Sequence, residues 1–296
     1  MNRTQHMWLF GLITLSLQAF SQESDLLSLL DEEETTDYTT ASFKANRVIN
    51  LHSLENTSAG ELDIKISHRF GFLSGGVNEL FGLDQSTIRI GGDYGITDRL
   101  MIGAGRSSYE KTFDGFVKFK FLRQSTGAKK MPVTMAVLAT TAIKTLKFTD
   151  PTRENYLSSK MYYTFQMILG RKFSDAFSLE ICPTLVHRNL VETLEEENDV
   201  LAIGTGARIK LGKRTSLNAE YIYVPPGQLA DKYHNSLSIG FDIETGGHVF
   251  QLHFTNSTSM IEKGFITETE GKWDLGNLND FDVHFGFNIS RTFNLK

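Results

Sequence analysis

The 296-residue sequence has little cysteine, little proline and no apolar run long enough for a membrane-spanning helix. With Cys182 as its one cysteine, the chain cannot form an internal disulfide, and no residue spacing indicates a zinc site. The net charge of −5 is made of interspersed charges, which argues against a nucleic-acid-binding surface. Five prolines beside 25 glycines and 22 phenylalanines favour strands and turns over helices.

The N-terminus has the pattern of an export signal. Arg3 and His6 precede an uncharged apolar stretch, and the small residues Ala19 and Ser21 follow it. The apolar core of about ten residues is too short to span a bilayer, which needs about 20 helical residues. We therefore predict a signal peptide over residues 1–21, cleaved near Ser21 and Gln22.

Residues 22–58 are polar and irregular, and we predict a short periplasmic N-terminal extension there. The acidic run Asp31–Glu34 is typical of a solvated segment. The stretch Phe43–Asn50 either enters the barrel described next as a plug or stays in the periplasm, and the sequence leaves both possibilities open.

From Gly60 to the C-terminus, apolar and polar residues alternate with the period of a β-strand. In the first segment Leu62 and Ile64 fall on one face, while Asp63 and Lys65 fall on the other. The pattern predicts strands near residues 62–70, 88–94, 100–106, 117–121, 132–140, 162–173, 179–181, 203–211, 217–223, 237–243, 248–256 and 281–289. We predict an all-β domain over residues 59–296, a closed antiparallel transmembrane β-barrel of about 12 strands.

Short and long connections alternate between these strands. Tight hairpin signals occur at residues 95–98 and 245–247, whereas the connections at 71–86 and 257–280 are long. Short periplasmic turns and long external loops are typical of outer-membrane barrels. Because short turns and long loops alternate, both ends of the barrel domain lie on the periplasmic side, and this requires an even number of strands.

A soluble secreted β-sandwich is the competing structure, because its strands alternate too. Three features favour an apolar face that points outward to lipid. The polar face carries charged side chains, which suit a water-filled lumen. Side chains can fill the interior of a barrel of about eight strands, so a soluble barrel of twelve strands would be too wide for an apolar core. Aromatic residues such as Phe173 and Phe254 gather near the strand ends. We therefore predict the outer membrane as the location, with outer-membrane lipid and the barrel-assembly machinery as partners and no nucleic acid.

Seven stretches of the chain carry a family resemblance. They are Phe43–Asn50, Ser67–Gly71, Leu80–Asp84, Gly105–Lys111, Asp150–Asn155, Pro183–Arg188 and Phe241–Asn256. Together they resemble an outer-membrane β-barrel family of Gram-negative bacteria that is known only as a domain of unknown function. The resemblance covers most of the chain after the signal peptide and implies a barrel fold, but it implies no activity and no site residues.

Charged residues on the inward face are the candidate functional residues. Cations and anions nearly balance there, which fits either an ion-pair network that closes the barrel or a narrow channel that screens small polar solutes. Two histidines on this face either titrate in a pore or form hydrogen bonds in the lumen. The candidate lumen-lining residues are Lys65, Arg69, Arg89, Lys118, Lys120, Glu180, Arg208, Glu220, Asp242, His253, Asp282 and His284. We predict no metal site and no cofactor.

These features lead to three hypotheses about function. The first is an outer-membrane barrel that forms a narrow channel or binds small polar solutes. The second is a non-conducting scaffold that engages a periplasmic partner through residues 22–58. The third, a membrane-embedded hydrolase, is the least favoured, since the neighbours Ser67 and His68 point to opposite faces of a strand and cannot form a dyad. Because no catalytic motif occurs, we do not expect an enzyme.

Overall fold

A computed structural model describes residues 35–148, 152, 154–274, 276 and 281–295. The predicted signal peptide, its cleavage site and residues 22–34 lie outside the described residues. Two compact units contain the described chain. The smaller comprises residues 35–38 and 125–130, in which strands β1 (Thr36–Tyr38) and β6 (Ser125–Gly127) form an antiparallel pair.

The larger unit contains twelve strands that close into an antiparallel barrel. Each strand pairs with the next barrel strand in the sequence, and the last pairs with the first, with Ser290 opposite Lys65. The twelve are β2 (Glu61–Phe72), β3 (Ser86–Gly95), β4 (Leu100–Ser107), β5 (Thr112–Leu122), β7 (Thr134–Lys144), β8 (Met161–Lys172), β9 (Phe177–Arg188), β10 (Asp199–Lys210), β11 (Thr215–Tyr223), β12 (Ser236–Thr245), β13 (His248–Thr255) and β14 (His284–Asn294). The prediction of a closed twelve-stranded barrel is confirmed.

The alternation of side chains across each strand separates lumen from outer surface. In β2, Asp63, Lys65, Ser67 and Arg69 are buried, whereas Ile66 between them is exposed. Large apolar side chains are exposed on the outer face of the other strands as well. A continuous apolar outer face is the surface that lipid covers in a transmembrane barrel.

The connections differ in length at the two ends of the barrel. Residues 96–99, 173–176, 211–214 and 246–247 form tight turns at one end, here called the short-turn end. Residues 73–85, 145–160 and 256–283 form long connections at the other, the long-loop end, and helix α1 (Glu262–Thr267) lies in the last of them. The connection after β4 is shorter than predicted, because β5 already begins at Thr112. Among the described residues, no helix has the length and apolar composition needed to cross a membrane.

Candidate functional site

Residues 42–57, here called the plug segment, lie inside the barrel. Most of them are buried, and the N–H of Ser53 donates to the carbonyl of Asn46 at 3.0 Å, which pairs the two arms of a hairpin. A second bond, from the N–H of Val48 to the carbonyl of Leu51 at 2.8 Å, closes the hairpin tip. Of the two possibilities that the sequence left open for Phe43–Asn50, the structure has the plug inside the barrel, where its apolar side chains and backbone groups find partners on the wall.

The hairpin tip is bound to one carboxylate of the wall. Glu220 on β11 accepts the backbone N–H groups of Ile49, Asn50 and Leu51 at 3.2, 2.9 and 3.0 Å. The side-chain amide of Asn50 donates to the same carboxylate at 2.7 Å. An ionised carboxylate accepts several hydrogen bonds strongly, so these four donors satisfy a charge that would be costly to bury alone.

Cations of the wall bind the plug segment along its length. Lys118 donates to the carbonyls of Ser53 and Glu55 at 2.5 and 2.6 Å, which leaves the hairpin's C-terminal arm fixed to β5. Arg208 donates to the carbonyls of Ala41 and Ser42 at 3.1 and 3.2 Å. On β2, Lys65 and Arg69 donate to the side-chain oxygens of Asn46 and Asn50, respectively.

The opposite side of the lumen is apolar. Plug side chains pack there in one cluster with inward residues of β7 to β11 and with α1; its members are Phe43, Val48, Leu51, Leu54, Ala136, Ile168, Cys182, Val186, Val200, Ala202, Ile222, Val224, Phe265 and Ile266. Two glycines of β10 make room for this contact. A Cβ at Gly204 would lie 3.0 Å from Leu51 Cδ1, and one at Gly206 would lie 2.9 Å from Val48 Cγ2.

The connection between β13 and β14 enters the lumen from the long-loop end. Its residues 256–269, here called the inward loop, are almost all buried, including every residue of α1. Arg47 of the plug segment and Glu262 of α1 form a buried ion pair at 2.5 Å. Lys263 anchors the loop to Glu110, which lies just before β5, at 2.8 Å, and it also pairs with Glu268 of the loop itself at 2.5 Å. Segments from the two ends of the barrel therefore meet in its interior.

The structure brings eleven of the twelve candidate residues to the lumen, where each is buried. Five contact the plug segment as described above: Lys65, Arg69, Lys118, Arg208 and Glu220. Others bind groups of the wall or the inward loop: Arg89 pairs with Asp114, Asp242 accepts from Gln251 at 3.0 Å, and His284 contacts Thr258 at 2.9 Å. Lys120, Glu180 and His253 complete the eleven.

Asp282 is the exception, and its prediction as a lumen residue was wrong. It lies before β14, is partly exposed and accepts a hydrogen bond from Ser74 Oγ at 2.9 Å. The predicted alternation fails here because β14 begins only at His284, and its pairing with β2 shifts register between His284 and Gly286. Val283, next to Asp282, is buried.

Three cavities follow the inner face of β2. The first two lie between the plug segment and the wall, and the third lies between the inward loop and the wall. A cavity of about 290 Å³ at the short-turn end is lined by Asn46, Asp63 and Ser290, among others. A constriction of about 10 Å³ follows, and a cavity of about 180 Å³ lies at the long-loop end. Within the described residues, no cluster of three or more His, Cys, Asp or Glu side chains is arranged to hold a metal ion.

Sequence reasoning missed the apolar side of the lumen and the ion pair of Arg47 with Glu262. A signal for the first existed: in Met167-Ile168-Leu169 and Val200-Leu201-Ala202-Ile203 both faces of the strand are apolar. Such a run predicts apolar surroundings on both sides of the sheet. No comparable local signal links Arg47 and Glu262, which are far apart in sequence.

A model of the membrane bound beta barrel domain (DUF5777) matches residues 43–293. The chain belongs to this family. The matched range begins at Phe43 in the plug segment and ends at Phe293 in β14, so the DUF5777 domain includes the segment inside the lumen as well as the barrel. The expected family resemblance is confirmed. No curated protein matches the chain.

Solved structures of other barrels are similar to this DUF5777 chain at low identity. The NanC porin has 7% identity and a TM-score of 0.48, with 78% of this chain and 98% of that chain covered. An outer membrane channel from Pseudomonas putida F1 has 10% identity and a TM-score of 0.44, covering 81% and 98%. Omp33 from Acinetobacter baumannii has 9% identity and a TM-score of 0.40, covering 82% and 100%.

Proposed function

We propose that the protein is an outer-membrane channel for small polar solutes that the plug segment closes. The observation that carries this proposal is the set of cavities along β2, which extend from both ends of the barrel and are separated by a constriction of about 10 Å³ beside the plug segment. A barrel filled only for rigidity would have no reason to keep cavities along one wall. In this proposal the lumen charges hold the plug segment and line the solute path.

The chemistry of the plug segment's contacts supports closure that can be reversed. Its polar contacts with Glu220, Lys118 and Arg208 exchange readily for water once the lumen fills, because each net hydrogen bond contributes only about 0.5–3 kcal/mol. The proposed location, with export through the signal peptide and insertion by the barrel-assembly machinery, follows from the apolar outer face and the predicted residues 1–21.

The scaffold hypothesis is supported by a different observation. Phe43, Val48, Leu51 and Leu54 are buried against the apolar side. Since burial of each such side chain contributes about 1.5–3 kcal/mol, spontaneous release of the whole plug segment would be rare. A scaffold would keep the plug segment in place permanently and would use residues 22–38 for a periplasmic partner.

Conductance in planar bilayers separates the two. We expect the full-length protein to be closed for most of the recording and a variant lacking residues 39–57 to conduct steadily. A variant lacking residues 22–34 keeps the plug segment and is the matched control, which should stay closed. Heat-modifiable migration on a gel verifies that every variant is a folded barrel. A folded variant without residues 39–57 that carries no current would contradict the channel and leave the scaffold.

A further inference from the structure

The cavity of about 180 Å³ at the long-loop end has an unusual lining. Among the residues that the structure describes, Arg69 is the only one with a full charge in the lining, and none of the lining residues is Asp or Glu; they are Arg69, Phe70, Gly71, Phe72, Gln85, Ser86, Thr87, Thr258 and His284. Gln85 and Ser86 at its rim are exposed, so the cavity opens to solvent at the long-loop end. At about 30 Å³ per water molecule, it has room for about six waters or one small organic solute.

Arg69 is a buried cation without an acidic partner. Its side chain is 1% exposed, and no carboxylate among the described residues lies within ion-pair distance, in contrast to Lys65 and Arg89 on the same wall. Its recorded acceptors are the carbonyl of His68 at 2.9 Å and the side-chain oxygens of Asn288 and Asn50 at 3.3 and 2.7 Å. A guanidinium has five N–H donors, so two remain, one of them on Nε, which has no partner.

The neighbours of Arg69 in the cavity carry no negative charge. Thr87 on β3 lies directly opposite Arg69 in the strand register, and its buried hydroxyl also has no partner. His284 Nδ1 lies 2.7 Å from the carbonyl of Phe70, which can only accept, so Nδ1 carries a proton. His284 Nε2 lies 2.9 Å from the Thr258 hydroxyl, so both ring nitrogens have partners.

We propose that this cavity is a binding site for a small carboxylate, held by the free N–H groups of Arg69 and the hydroxyl of Thr87. Arginine pairs with carboxylates through two parallel N–H···O bonds, and such charge-assisted bonds are stronger than neutral ones. A bound carboxylate would satisfy both the charge of Arg69 and the unpaired hydroxyl. As a step in transport, the site rests on the proposed channel; as a binding site, it does not.

The constriction next to this cavity also favours an anion over a cation. Arg47, Lys65, Arg69 and Arg89 line it, again without a carboxylate among the lining residues. Arg47 and Arg89 are ion-paired with Glu262 and Asp114, and Lys65 lies 3.6 Å from Asp93, so Arg69 is the cation whose charge is least compensated. Glu220 is linked to Arg69 only through the Asn50 side chain. An anion that passes along β2 would therefore bind first at Arg69.

Position 87 allows a test that leaves Arg69 and the plug segment unchanged. Trifluoroacetate serves as the probe, and its ¹⁹F NMR line broadening is titrated with the full-length protein in detergent micelles. Thr87→Asp places a carboxylate opposite Arg69 and should weaken probe binding at least about tenfold, because it occupies the site from within the chain. Thr87→Asn has nearly the same shape as Thr87→Asp without the charge, and its amide N–H groups can donate in place of the Thr87 hydroxyl. It should therefore weaken probe binding by much less than Thr87→Asp.

The outcomes either support the site or overturn it. Saturable broadening in the wild type and in Thr87→Asn, lost in Thr87→Asp, supports it. No saturable broadening in the wild type would overturn it, as would equal binding or equal loss in the two variants. These results are independent of conductance: a silent barrel that binds the probe would contradict the channel alone, and a conducting barrel without binding would contradict the site alone.

Discussion

The two sides of the lumen present different surfaces to the same plug segment. One side is apolar, and its inward residues include Ile168, Cys182, Val200 and Ile222. The other is polar, and its inward residues include Lys65, Arg69, Gln251 and Asn288. Gln251 and Asn288 donate to the plug carbonyls of Val48 and Ile49 at 2.9 and 3.0 Å, so neutral residues there also bind the backbone of the plug segment.

The difference explains where empty space remains. Apolar side chains close-pack without directional demands, whereas hydrogen bonds fix distances and angles and leave gaps where donors and acceptors do not fill the volume. The cavities described above lie along the inner face of β2, which belongs to the polar side. The apolar side thus supplies most of the free energy of docking, and the polar side determines the register of the hairpin and provides the space for solute.

The largest effect is expected on the apolar side. Leu51→Ala removes a side chain that is 1% exposed and packs over Gly204, and such truncations cost about 2–5 kcal/mol. Cys182 belongs to the same cluster and is the one cysteine of the chain, so it reports release of the plug segment. We expect a small thiol reagent to modify Cys182 much faster in Leu51→Ala than in the wild type.

The control for this variant is a truncation on the outer face of β10, the strand that carries Gly204. Ile203→Ala on β10 truncates a side chain that is 47% exposed and faces away from the plug segment. It should leave the rate of Cys182 modification unchanged. If Leu51→Ala and Ile203→Ala gave the same rate, the apolar side would not hold the plug segment.

A smaller effect is expected at the polar contact that Glu220 of β11 makes with the hairpin tip. Glu220→Gln keeps the shape but replaces one accepting oxygen by an NH₂ group, which faces the N–H groups of Asn50 and Leu51. Loss of one charged acceptor for buried donors costs about 1–3 kcal/mol. Cys182 modification should accelerate in Glu220→Gln, but by less than in Leu51→Ala.

Glu244→Gln is the control for this variant. Its carboxylate is 47% exposed and pairs with Lys44, so the expected cost is about 0–1 kcal/mol. Equal rates in both glutamine variants would show that Glu220 does not position the hairpin.

The alternation of apolar and polar residues within each strand was sufficient to predict the barrel, but it did not predict which segments fill the lumen. Period-two alternation is a property of each strand alone, which is why the burial of Lys65, Lys118 and Glu220 followed from sequence. The partner of Glu220 did not, because three consecutive backbone N–H groups carry no side-chain signature. Alternation also misplaced Asp282, since an irregular start of β14 cannot be read from polarity. Side-chain direction was therefore predictable, and occupancy of the lumen was not.

The smallest effect concerns how the inward loop is held at the long-loop end. Burial raises the pKa of Glu110, but Lys263 and hydrogen bonds from Lys144 and Lys263 outweigh it, and the net pKa is lowered from 4.5. A carboxyl whose pKa is lower in the folded protein stabilises the fold above its unfolded pKa, and this contribution is lost as the pH falls through the folded value. Acidification below about pH 4.5 should therefore loosen the anchor of α1 through this group.

Glu110→Gln isolates that contribution. We expect the thermal midpoint of the wild type to fall more between about pH 6 and pH 3.5 than that of the variant, since the other carboxyl groups titrate in both proteins. The difference measures the polar anchor of the inward loop separately from the apolar contacts of Phe265 and Ile266, which do not titrate. Identical pH dependence in the two proteins would mean that those apolar contacts alone keep α1 in the lumen, and the apolar side would then hold both segments that fill it.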